Sequence, residues 1–198
     1  KGKNVDGNKF ISEALKKKSS FAVVNRINRN YPLSKQIKVK NTLNFLSKCS
    51  SIFRENINTK IISITGSCGK TTLKEMIGVT LNKISKTSYS PKSYNNKYGV
   101  PLSLFNIKRK DEFGVLEVGM DKKGEIDSLT KIIRPDLGII TNISYAHSKN
   151  FKSINHIANA KGEIIDNIKK DGIIVLNKDD KFYNFHKNLA HKKNLKVV

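Results

Sequence analysis

Residues 61–72 read Ile61-Ile62-Ser63-Ile64-Thr65-Gly66-Ser67-Cys68-Gly69-Lys70-Thr71-Thr72. An apolar run of strand character enters a loop with two glycines, and apolar residues at helical spacing follow over 71–83. That order can turn backbone N–H groups and a helix N-terminus toward phosphate oxygens. Lys70 is then placed to reach the β- and γ-phosphates of a nucleotide, and the Thr71 hydroxyl to bind Mg²⁺. The longer phosphate-loop pattern requires a glycine at position 64, where the chain has Ile64, so the match is to the shorter form Gly66-x-x-Gly69-Lys70-Thr71. Gly66, Ser67, Cys68, Gly69, Lys70, Thr71 and Thr72 are the candidate nucleotide-binding residues. The plainer reading, a glycine-rich turn with an incidental lysine, fits poorly with a strand before it and a helix after it.

Moving outward, further strands are predicted at 114–118, 137–142 and 173–177, and helices at 125–133 and 155–169. Strands that are apolar throughout and alternate with helices predict an α/β fold, a mostly parallel sheet covered on both faces. Glu117 ends the run Phe113-Gly-Val-Leu-Glu117. A parallel sheet would set it beside the phosphate loop, where a carboxylate can hold Mg²⁺. Before residue 60 the pattern is that of a smaller α/β piece: a helix over 8–18, strands at 21–24 and 37–39, and a helix over 42–54 with Leu43, Leu46 and Ile52 inward. The polar segment 55–59 reads as a domain boundary.

With 198 residues, 37% of them hydrophobic, the chain can bury a sizeable core. It has no apolar run long enough to span a bilayer, so no membrane insertion is expected. Cys49 and Cys68 lack the spacing of a zinc site or a disulfide framework, which fits reduced thiols in the cytoplasm. The formal charge of +22 raises nucleic-acid binding, yet 33 of the 38 basic residues are lysine, spread along the chain. Base reading favours arginine and an aromatic platform, and neither is evident, so nucleic acid is set aside as the main partner.

Five segments appear in order: Thr65-Gly-Ser-Cys-Gly-Lys-Thr-Thr72, Tyr94-Asn-Asn-Lys-Tyr-Gly-Val-Pro-Leu102, Leu116-Glu-Val-Gly-Met120, Thr141-Asn-Ile-Ser-Tyr-Ala-His147 and Ala160-Lys-Gly-Glu163. Together they resemble the Mur ligase family, which joins amino acids or dipeptides to nucleotide-linked peptidoglycan precursors. The likeness is greatest to those members that add D-alanyl-D-alanine to UDP-N-acetylmuramoyl-tripeptide. It implies that 1–59 is part of an N-terminal substrate domain that holds the UDP-sugar and that 60–198 is most of the central ATP-binding domain. The family's C-terminal domain is expected to be absent, leaving a fragment incomplete for turnover alone; a monomer is expected.

The resemblance implies ATP and Mg²⁺ as cofactors, with Lys70, Lys161 and His147 catalytic. One Mg²⁺ would rest on Thr71 and Glu117 and a second on His147 and a carbamylated Lys161. Asn95, Asn96 and Asn142 would meet substrate, and Asn177 and Asp180 the adenine and ribose. Asp121 and Glu125 read as caps of the helix that follows the Glu117 strand. Cys68 needs no catalytic role, because the loop's donors are backbone groups. Other readings stay open at this point: a ligase adding the third peptide residue, a folylpolyglutamate synthase, or a phosphate-loop ATPase without ligase activity.

Overall fold

A computed structural model describes residues 6–145 and 150–198. The chain divides into two compact units, Lys1–Leu46 and Ser47–Val198. In the first, a 3-10 turn over Gly7–Phe10 leads into α1 (Ile11–Lys16), and β1 (Ala22–Val24) pairs in parallel with β2 (Gln36–Lys38). Ile11, Ala22 and Val24 form its small core. The buried Gln36 side chain pins the intervening loop, donating to Asn28 O and Tyr31 O and accepting from Asn28 N.

Helix α2 (Thr42–Glu55) runs across the division at Leu46, upstream of the boundary expected at 55–59. Its last turns belong to the second unit because Phe53 packs on Phe105 and Arg54 is bonded to backbone as far away as Ile133. Ile52, expected inward, is 51% exposed. The buried positions are Ser50 and Arg54, which with Phe53 follow the three- and four-residue spacing of one helix face, and Ile52 lies off it.

The second unit contains β3 (Lys60–Thr65), α3 (Lys70–Leu81), β4 (Thr87–Tyr89), α4 (Gly99–Phe105), β5 (Phe113–Glu117), α5 (Glu125–Ile133), β6 (Leu137–Ile140), α6 (Ile154–Asp166), β7 (Ile173–Leu176), α7 (Tyr183–Lys192) and β8 (Lys196–Val197). All pairings in its sheet are parallel, in the order β4-β5-β3-β6-β7-β8. The expected α/β parallel sheet is therefore the observed one. Ile61, Ile64 and Leu116 have no exposed surface, each contributing roughly 1.5–3 kcal/mol of burial. On one face α3 packs Leu73, Ile77 and Leu81 against Ile64, Val115 and Ile139. The larger core on the other face takes Leu104, Ile126, Ile133, Ile157, Ile164 and Ala190 from α4 to α7.

The strand order fixes where a ligand can sit. β3 lies between β5 and β6, so the chain leaves β3 toward one side and later returns to pair on the other. Such a reversal opens a crevice at the carboxyl ends of the central strands. The register sets Ile64 beside Glu117 and Thr65 beside Ile140, which aims the phosphate loop between the segments after β5 and β6.

At the amino ends of the same strands, Arg54 is 3% exposed and every nitrogen is used. Nε donates to Ile133 O at 2.6 Å, Nη1 to Thr59 O at 3.2 Å, and Nη2 to Asp136 Oδ2 at 2.9 Å. Asp136 also accepts from Ile61 N at 2.8 Å and Lys169 Nζ at 3.0 Å. Burial alone would raise its carboxyl; the Ile61 N–H, Lys169 and Arg54 outweigh that and hold it below the usual range.

Candidate functional site

The loop after β3 is built by glycine. Gly66 has φ 143°, and a Cβ there would collide with Thr141 Oγ1; Gly69, at φ 80°, leads straight into α3. No side chain caps α3, whose first-turn N–H groups have no intrahelical partners and form the donor set of a phosphate site. The segment after β6 holds the other side of the loop. Asn142 accepts from Ser67 N through its carbonyl at 2.9 Å and from Cys68 N through Oδ1 at 3.1 Å, and Thr141 Oγ1 donates to Cys68 O at 2.6 Å. Ser67 Oγ donates to Ser144 O at 3.0 Å and accepts from Ser144 N at 2.8 Å. The donors of Ser67 and Cys68 thus secure the loop, and Asn142 acts as its clamp.

Two ammonium groups converge on one carbonyl. Lys70 Nζ donates to Gly66 O at 2.9 Å and to Ser67 O at 3.2 Å, and Lys161 Nζ, from α6, donates to the same Gly66 O at 2.9 Å. Lys161 is 1% exposed. Burial and, after it, the charge of Lys70 push its ammonium down to about 7.

Glu117, also 1% exposed, lies on the other flank of the loop. Its Oε2 accepts from Thr71 Oγ1 at 2.6 Å and its Oε1 from Asn95 Nδ2 at 2.7 Å. Among the described residues no cation forms an ion pair with it. A buried carboxylate accompanied by a hydroxyl and an amide oxygen is an oxygen-rich set that suits a hard divalent ion such as Mg²⁺. A cavity of about 700 Å³ opens here, lined by Lys70, Thr71, Ser93, Asn95, Asn96, Lys97, Tyr98, Glu117, Met120 and Lys122 among others.

The structure therefore brings Lys70, Thr71, Asn95, Asn96 and Glu117 around one cavity and puts Lys161 and Asn142 on the phosphate loop. Asn96 Oδ1 accepts from Tyr98 N and Gly99 N, both at 3.0 Å, at the start of α4. Thr72 is exposed in the first turn of α3. Asn177 and Asp180 stand apart from the cavity lining. Asn177 Oδ1 accepts from Asp179 N at 3.0 Å, and Asp180 ties the segment after β6 to the start of α7 by accepting from Ile143 N at 2.7 Å and Phe182 N at 2.8 Å. His147 lies outside the described residues.

Sequence reasoning missed several supports. Glu163, quoted with its motif but given no role, accepts from Gly124 N at 2.8 Å and Asp127 N at 3.0 Å, so the N-terminus of α5 is capped from α6. This corrects the expectation that Asp121 and Glu125 cap that helix. Glu125 Oε2 instead accepts from Asp121 N and Lys122 N, closing the turn before it. Lys74 is wholly buried and unanticipated, since a lysine in a helix ordinarily reads as solvated. His186 is structural: its Nε2 donates to Ala158 O at 3.0 Å, and burial holds its imidazolium below the usual range.

The Mur ligase middle domain pattern matches residues 64–198. The chain belongs to the Mur ligase family. It is 36% identical over 195 residues to the UDP-N-acetylmuramoyl-tripeptide--D-alanyl-D-alanine ligase of Buchnera aphidicola subsp. Baizongia pistaciae, covering 97% of this chain and 42% of that relative. Among solved structures it superposes on MurF from Acinetobacter baumannii with a TM-score of 0.90 and 31% identity, over 100% of this chain and 43% of that one. MurF ligase from Thermotoga maritima in complex with ADP gives a TM-score of 0.86 and 30% identity, over 100% of this chain and 45% of that one. This Mur ligase chain thus spans under half the length of the relatives it matches. Among its described residues no helix is long and apolar enough to cross a membrane.

Proposed function

We propose that the chain is the nucleotide-binding core of a cytoplasmic, ATP-dependent ligase that joins D-alanyl-D-alanine to UDP-N-acetylmuramoyl-tripeptide in peptidoglycan precursor synthesis. The observation that carries this reading is the charge arrangement at the carboxyl ends of β3 and β5. There two lysines share one carbonyl beside a buried carboxylate that has no cationic partner among the described residues. Such a site favours a ligand that brings both anionic phosphates and a divalent cation. MgATP is that ligand, and the Thermotoga maritima relative was solved with ADP.

In this reading the terminal carboxylate of the tripeptide attacks the γ-phosphorus of ATP. The bond to the β-γ bridging oxygen breaks, ADP leaves and an acyl phosphate forms. The amine of D-alanyl-D-alanine then attacks the acyl carbon, phosphate leaves, and the amine gives up a proton as the amide forms. Lys70 and the first-turn N–H groups of α3 hold the phosphates, while the Gly66–Thr72 loop fixes their position. Thr71 and Glu117 would hold Mg²⁺, which spreads the charge of the transferring phosphoryl group. Asn95 and the amide nitrogen of Asn96 offer neutral donors to substrate oxygens, and Asn142 keeps the loop in shape. Asn177 and Asp180 are assigned to the adenine and ribose side.

Lys161 fits a carbamate by its chemistry. With its ammonium pushed down to about 7, a large fraction is free amine at neutral pH, the form that adds CO₂. The carbamate is an anion, so the repulsion from Lys70 becomes attraction, and with His147 it would complete a second Mg²⁺ site. In the same proposal 1–59 is part of the UDP-sugar domain, 60–198 is most of the ATP-binding domain, and the remainder of the ligase completes the site. The test is ATP-dependent formation of UDP-muramoyl-pentapeptide by the full-length protein, followed by mass. Product is expected, and Lys70→Ala removes it. Nucleotide binding without product would transfer the reading to another acceptor, such as a precursor awaiting its third residue.

A further inference from the structure

Lys74 has no exposed surface, although it is a lysine one helical turn beyond Lys70. Its ammonium donates to Ser90 O at 2.7 Å and to Lys92 O at 2.7 Å and forms an ion pair with Glu75 Oε1 at 2.7 Å. An ammonium removed from water is costly unless such partners surround it, and an aliphatic residue would pack α3 against the sheet without that cost. Two of the partners are carbonyls of the turn that follows β4, where Lys92 has φ 47°. The same turn leads to the metal-suited carboxylate. Ser90 Oγ accepts from Glu117 N at 3.3 Å, Ser93 Oγ lies 3.4 Å from Thr71 Oγ1, and Asn95 donates to Glu117 Oε1 at 2.7 Å while its carbonyl accepts from Gly119 N at 2.8 Å.

We infer that Lys74 is a positioning residue: by gripping the Ser90–Lys92 turn it sets Ser93 and Asn95 against Thr71 and Glu117, and so fixes the Mg²⁺ side of the nucleotide site while the phosphate side stands independently. The inference rests on the reading of this cavity as a MgATP site. The phosphate side hangs on different contacts. Gly66, Lys70 and Lys161 are joined to one another and to Asn142 through the loop, and none of these bonds passes through residues 90–95. Removing Lys74 therefore weakens metal-linked affinity and leaves metal-free affinity for phosphate in place.

The test is calorimetric titration of ADP into the full chain in EDTA and again with Mg²⁺, for the unmodified protein, Lys74→Met, Asn95→Ala and the double variant. Lys74→Met is expected to keep its EDTA affinity within about twofold and to lose about tenfold of the gain that Mg²⁺ confers, and the double variant is expected to lose no more than the larger single loss. An unchanged Mg²⁺ gain, equal losses with and without Mg²⁺, or additive losses would each overturn the inference. If Lys74→Met does not fold, Ser90→Ala decides, since it cuts the bond to Glu117 N and leaves the carbonyls gripped by Lys74. A reduced Mg²⁺ gain supports the inference and an unchanged gain overturns it. If the unmodified chain shows no Mg²⁺-dependent gain, the MgATP reading falls, and the role of Lys74 falls with it.

Discussion

The two ends of the central sheet carry cavities of comparable volume, about 590 Å³ at the amino ends of the strands and about 700 Å³ at the carboxyl ends, yet they treat charge in opposite ways. At the amino end Arg54 and Lys169 both meet Asp136, and Arg134 meets Glu55. At the carboxyl end Lys70 and Lys161 crowd one carbonyl, and Glu117 is held by a hydroxyl and an amide. Complementary charges that satisfy each other lock a fold. Like charges brought together, with an opposite charge held nearby but apart, are stable only at a cost that a ligand can relieve. Cavity size does not separate a joint from a binding site here, but charge pairing does.

The largest effect expected is at the amino end. Arg54→Ala takes one of its cationic partners from Asp136 and one donor from each of four carbonyls, and is expected to cost about 3–5 kcal/mol in urea unfolding while leaving the nucleotide affinity of the folded protein unchanged. A matching loss of affinity would break the division between the two ends. Next is Lys70→Ala, expected to lower MgATP affinity by about 100-fold, or about 3 kcal/mol, with no loss of thermal stability, because it removes a repulsive neighbour of Lys161. Calorimetry and a melting curve on the same sample check both halves of that expectation.

At both ends stability rises with pH, but over different pH ranges. Lys161 has a folded value of about 7 against an ordinary 10.5, so its charged form is penalised in the folded state. That penalty is fully present below about pH 7 and is relieved as pH rises toward 10.5, with a slope approaching 1.4 kcal/mol per pH unit, about the value for one proton. Asp136, held below its ordinary 3.8, contributes stability that is present above that value and lost as pH falls through its lower folded value. Unfolding followed from pH 3 to 10 separates the two, and Lys70→Ala is expected to flatten only the alkaline limb. The smallest effect belongs to Asn142→Ala, which loses one clamp on the phosphate loop and is expected to cost about 1 kcal/mol in both stability and nucleotide affinity.

Much of this was legible in residues 61–72, where apolar strand, glycines and helix each declare themselves locally, and the same held for β5, β6, β7, α5 and α6. The elements that escaped have weak local signals. α4 begins at Gly99 and contains Pro101, yet five of its seven residues are buried, so packing overrides its composition. β4 has three residues and β8 two, too few to show a period, and α7 is polar at six of its ten residues. At the site, motif position led to Lys70, Thr71, Asn95 and Glu117. The convergence of Lys161 on Gly66 and the inward turn of Lys74 depend on contacts between distant segments, and a lysine code carries no mark of burial.

The most direct test of the contrast is the titration of Lys161 itself, followed by NMR in the unmodified chain, free of CO₂ and nucleotide, and again in Lys70→Ala. The account predicts a midpoint near pH 7 that moves upward when Lys70 is removed, since one of its two depressing causes is then gone. A midpoint near the ordinary 10.5, or one indifferent to Lys70, would contradict the claim that the carboxyl end of this sheet holds like charges awaiting an anionic ligand.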